Sequence, residues 1–148
     1  MKHLLIACSF IVLFACNSQK KASETKVKED TNYTFTYTKK SRGNYTTTTV
    51  STEGATVINA LTQEKKNITV PPNAWENLIA AVKQIDLSEI NTFEAPTQNR
   101  YTDRAATATL TITYQDNTYT SVEFDHGNPP AQLRDMVSKI VALTETEK

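Results

Sequence analysis

The 148 residues are 39% apolar, 8% aromatic and 22% charged, a length and balance that suit one globular domain and exclude a multidomain enzyme. Lys plus Arg and Asp plus Glu number 16 each, so the net charge is zero and no overall field draws the chain to nucleic acid or to an acidic substrate. The glycines Gly43, Gly54 and Gly127 stand far apart, which excludes a glycine-rich phosphate cradle.

Lys2 and His3 precede an apolar run from Leu4 to Phe14, followed at once by Ala15, Cys16 and polar Asn17 to Lys20. As a helix the run rises about 16 Å, half the hydrocarbon thickness, so residues 1–15 read as a signal peptide and not as a membrane span. Leu13-Phe14-Ala15-Cys16 resembles the lipobox of bacterial lipoproteins, with cleavage before Cys16. Leu5-Ile6-Ala7-Cys8 fits the tetrapeptide better, since Phe14 is bulkier than the small residue usual at that place, but it leaves too little apolar chain ahead of it to enter a membrane. A lipidated Cys16 places two acyl chains in the bilayer, each buried CH₂ worth about 0.8 kcal/mol, enough for a stable anchor. Cys8 then leaves with the signal and Cys16 is consumed by lipid, so no disulfide is expected and stability must come from a packed core.

Residues 16–31 mix Lys20, Lys21, Lys26 and Lys28 with Glu24, Glu29 and Asp30, around a single apolar branch at Val27. Such a tether behaves as a coil with a reach on the order of 20 Å.

Residues 32–148 read as one α+β domain. Tyr33, Phe35 and Tyr37 alternate with Thr34, Thr36 and Thr38 in a first strand, and a turn over residues 39–44 follows. Strands at 45–51 and 55–61 complete a meander, with a short fourth strand at 67–70. Ala106, Ala108, Leu110, Ile112 and Tyr114 share one face of a further strand opposite four threonines; Gln115-Asp116-Asn117 turns it into a strand at 118–125, with Val122 and Phe124 facing the core. Two helices open at Pro-Pro pairs. From Pro72 the apolar positions are Trp75, Leu78, Ile79, Val82 and Ile85; from Pro130, at identical offsets, they are Leu133, Met136, Val137, Ile140 and Leu143. Asn128 is placed to cap the second helix, and Asn73 with Glu76 to form a capping box on the first. The expected fold is an antiparallel sheet of five or six strands with two helices packed on one face, a hairpin-helix unit given twice, the other face rich in threonine and open to water.

Catalytic inventory is thin. Asp125 and His126 form a candidate acid–base pair, and His126 with Asp103 a candidate metal site; together they define the alternative of a small metal-dependent or acid–base hydrolase. A structural reading fits the same residues, with Gly127 permitting a reversal and Asp125 accepting backbone N–H groups. One histidine among carboxylates is a poor zinc site, so no metal and no cofactor is expected. The segment from Glu94 to Arg104 is long for a compact domain. Pairing of Arg100 or Arg104 with Asp103 or Asp125 would fasten it; alternatively Arg100, Tyr101 and Arg104 line a site for a small carboxylated ligand. No free thiol, no Gly-x-Ser-x-Gly and no partnered serine supports nucleophilic catalysis. The Lys39-Lys40-Ser41-Arg42 tip lies in a domain with more acids than bases, which argues against nucleic acid.

The lipobox, Trp75, Arg100 with Asp103 before an Ala-rich strand, and Phe124-Asp125-His126-Gly127-Asn128-Pro129-Pro130 resemble a group of small lipoproteins of Bacteroidota envelopes. Arg104 departs from the small residue that the group carries there. The resemblance implies a lipid-anchored envelope protein and no particular activity. Surface-displayed members carry acids just after the lipid cysteine; Asn17-Ser18-Gln19-Lys20-Lys21 does not, which implies a periplasm-facing protein anchored to the inner or outer membrane. The expected role is a non-enzymatic binding domain that meets an envelope protein or component through the threonine face or the 100–104 loop.

Overall fold

The computed structural model describes residues 32–145. The signal, Cys8, Cys16 and the tether lie outside them. The chain runs β1 (Tyr33–Ser41), β2 (Asn44–Ser51), β3 (Gly54–Asn59), β4 (Lys65–Ile68), α1 (Pro72–Val82), β5 (Thr107–Tyr114), β6 (Asn117–Thr120), β7 (Phe124–Asp125) and α2 (Arg134–Glu145). The strands form one antiparallel sheet in the order β4-β3-β2-β1-β5-β6, with β7 also pairing β5. The fold is α+β as expected, with six strands in continuous order and the two-residue β7 as a seventh.

One face carries the core. Phe35, Val50, Ala55, Leu110 and Ile112 meet Leu78, Ile79 and Val82 of α1 and Met136 and Ile140 of α2, all buried in a single cluster. Trp75 tilts over Phe35 at 5.6 Å. The opposite face is threonine. Cross-strand register lines up Thr56, Thr49, Thr36, Thr111 and Thr120 in one row, and Thr47, Thr38 and Thr109 in the next. Hydroxyls pair across strands at 2.5 Å (Thr38–Thr109) and 3.1 Å (Thr111–Thr120), so the β-branched residues that favour the strand also satisfy one another at a wet surface.

Three expectations give way. The strand expected at 118–125 is broken: Thr120 pairs with Thr111 but Phe124 with Ala108, so two residues, Val122 and Glu123, stand opposite Thr109 alone. This one-residue bulge turns Ser121 and Phe124 inward and leaves Val122 half-exposed, against the core position expected for it. Ser121 Oγ takes over the lost ladder bond, accepting from Leu110 N at 3.0 Å and donating to Val122 O at 2.8 Å. Neither predicted cap forms. Asn73 Oδ1 accepts only from the next residue, Ala74, and Asn128 turns away to Thr97, because α2 is entered through a 3₁₀ turn at Ala131–Leu133. Finally, β1 runs three residues past Thr38, and β4 begins at Lys65 rather than Asn67.

Candidate functional site

The bulge decides where the site residues point. With one residue inserted, Phe124 takes the core side beside Ala108, Asp125 takes the threonine side opposite Thr107, and His126 returns toward the core. The neighbouring candidates Asp125 and His126 therefore serve opposite faces.

Asp125 lies beneath the 97–100 segment with its side chain 2% exposed. Its Oδ2 accepts from Thr97 Oγ1 at 2.5 Å and Asn99 N at 2.7 Å; its Oδ1 accepts from Arg100 N at 2.9 Å and the Arg100 guanidinium at 3.2 Å. Burial alone would raise this carboxyl. The hydrogen bonds from Thr97, the Arg100 and Asn99 amides and the Arg100 side chain outweigh it and hold the pKa at about 2. Asn128 closes the ring, donating its amide N–H to Asp125 O and its side-chain amide to Thr97 Oγ1.

Arg100, 7% exposed, also donates to Thr97 O at 2.7 Å and to the Tyr101 hydroxyl at 3.1 Å, with its guanidinium carbon 4.4 Å from the Tyr101 ring centre. Its Nε is buried without a partner among the described residues. Tyr101 is itself 68% exposed. Asp103, in a left-handed conformation at φ 57°, reaches across to Arg42 on the β1–β2 turn at 3.0 Å. That ion pair is solvent-exposed and contributes little to stability. Arg104 is exposed and, among the described residues, tied only through its backbone N–H to Asn99 O.

His126 Nδ1 lies 2.8 Å from the Tyr37 hydroxyl, and its backbone N–H donates to Ala106 O. Burial pushes the Tyr37 phenol far up, so it stays a neutral hydroxyl. Of the sequence candidates, then, Arg100 and Asp125 are brought together, while Asp103 and His126 each keep other partners. Among the described residues no group of three or more His, Cys, Asp or Glu is arranged to hold a metal ion.

Two hollows flank this framework. On the threonine side, one of about 750 Å³ is lined by Lys40, Arg42, Arg100, Asp103, Arg104 and Glu123, among others. On the helix side, one of about 230 Å³ includes Tyr37 and His126 in its wall. Sequence reasoning missed Arg42, Thr97, Tyr37 and Lys39. The alternation of β1, carried one step beyond Tyr37, is the signal that would have placed Lys39 inward.

Comparison with protein-family models, with curated proteins and with solved structures finds no match to the chain. Among the described residues no helix is long and apolar enough to cross a membrane.

Proposed function

We propose that this chain is a lipid-anchored cell-envelope protein whose folded part is a non-enzymatic binding domain, and that it holds a carboxylate-bearing envelope component at the basic end of its threonine face. One observation carries the reading. The acid–base candidates are occupied in fastening the loop or pairing locally, while Lys40, Arg42 and Arg104 line a large hollow open to solvent. Both Asp125 oxygens are engaged by four donors, which leaves the carboxylate poorly placed for proton transfer to a substrate. Guanidinium forks suit carboxylates, and Thr107, which lines the hollow beside them, offers a hydroxyl.

Position along β1 supports a partner other than the anchoring bilayer. The tether joins ahead of Tyr33, and the strand carries Ser41 about 27 Å away, so the basic hollow lies at the end of β1 opposite that junction. Charged rims act chiefly on encounter rate and salt dependence.

The test is co-sedimentation of the mature lipoprotein, in detergent, with purified cell-wall sacculi. Binding that weakens as salt is raised and is lost in the triple variant Lys40→Gln, Arg42→Gln, Arg104→Gln supports the reading. Sedimentation unchanged in that variant removes the hollow as the binding surface.

A further inference from the structure

The helix-covered face holds a second feature, separated from the basic hollow by the thickness of the sheet. We propose that the partly open pocket beside Tyr37 is a binding site for a small monocarboxylate with a compact apolar body.

Its wall follows from strand register. Lys66, Val57, Thr48 and Tyr37 form one cross-strand row on the core face, and Lys39 stands opposite Thr46 in the next. Because β1 continues through Ser41, Lys39 is carried onto the covered side and its neighbour Lys40 onto the open one. Ile140 and Val141 of α2 form the other side, and the pocket volume is about 230 Å³. It is a cleft open on one side to solvent, with room for a small organic molecule.

Two polar groups in it lack partners. Lys39 is half-buried and makes no ion pair among the described residues; Thr48 is 5% exposed and its hydroxyl makes no hydrogen bond among them. Both border the same pocket, and neither is a buried atom stranded without a partner, so they stand open to whatever enters it and can take a ligand that supplies an acceptor. A carboxylate meets both requirements, taking the ammonium of Lys39 and the hydroxyl of Thr48. The remaining wall of Val57, Ile140 and Val141 suits hydrocarbon and argues against inorganic phosphate, which would leave it uncovered. The volume lies below the range for drug-sized ligands, which limits the occupant to about ten non-hydrogen atoms.

Benzoate fits these limits and serves as the probe, with benzamide as its neutral isostere. In amide-resolved NMR titration of the mature lipoprotein in detergent, benzoate is expected to bind saturably and shift Thr48, Val57 and Val141, with benzamide at least tenfold weaker. Lys39→Met should weaken benzoate at least tenfold, whereas Lys65→Met, on the open face of β4 and outside both hollows, should leave it unchanged. Val141→Phe, which fills the cavity without touching the cation, should abolish binding while raising the melting temperature. No saturable shift at millimolar benzoate overturns the proposal. So does equal binding by Lys39→Met, or a response confined to Arg42 and Arg104, which would place the ion in the basic hollow.

Discussion

Replacing Arg100 by Met tests what closes the loop over the sheet. The buried pair with Asp125 invites the expectation that the guanidinium is the main support, and removing one partner of a buried ion pair typically costs about 3–5 kcal/mol. The local inventory gives a smaller figure. Asp125 keeps three donors after the substitution, from Thr97 Oγ1 and the backbone N–H groups of residues 99 and 100, all shorter than the 3.2 Å bond to the guanidinium. The variant loses bonds to a charged group, worth about 1.5–3 kcal/mol, but also removes the stranded Nε, whose desolvation costs about 1–3 kcal/mol. The net expected loss is about 1–2 kcal/mol. Thr97→Val, which removes the shortest donor and strands the Asn128 amide, should cost more, about 2–3 kcal/mol. Urea denaturation reads the Arg100→Met difference as a midpoint shift of roughly 0.5–1 M at a slope of about 2 kcal/mol/M. Hydrogen exchange should find the residue 99 and 100 amides still protected. A loss of 3 kcal/mol or more, or loss of that protection, would refute the assignment of the clasp to the hydroxyl and backbone donors.

Other outcomes follow from the same geometry. The folded pKa of Asp125, about 2, lies below the unfolded value of about 3.9, so its contribution is present above pH 4 and lost as pH falls toward 2. Exchange protection at Asn99 and Arg100 should fall across that window, and Asp125→Asn should remove the dependence. Ser121→Ala should cost about 1–3 kcal/mol in denaturant melts, because the buried Leu110 N–H loses its acceptor. Gly54 sits at φ +135°, where a Cβ would meet Ile68 O at 3.0 Å, so Gly54→Ala should lower stability by about 1–3 kcal/mol through strain at the β3–β4 edge.

Much of the fold was legible because two periodicities are clean. Tyr33-Phe35-Tyr37 against the interleaved threonines could be laid down only one way, and the matched apolar offsets after Pro72 and Pro130 marked both helix stripes. Features that depend on a single residue of register were not legible. The bulge at Val122 and Glu123 leaves the local pattern looking like a continuous strand, and only pairing with β5 reveals that Ser121 and Phe124, three apart, share a face. Contacts between distant segments were equally hidden. Asn128 reads as a cap from its place before Pro129, yet Thr97, 31 residues away, claims it; the Tyr37 hydroxyl meets His126 across 89 residues. Lys39 looked like part of a solvated turn because the strand was expected to stop at Thr38, and its inward position follows only from the full length of β1.

The anchor comes before every statement about the partner. Mass spectrometry of the N-terminal peptide of the protein taken from native membranes tests it directly. The account predicts a chain beginning at Cys16 with a thioether-linked diacylglycerol; an unmodified cysteine there, or a chain that keeps Met1 and stays in the cytosol, would contradict it.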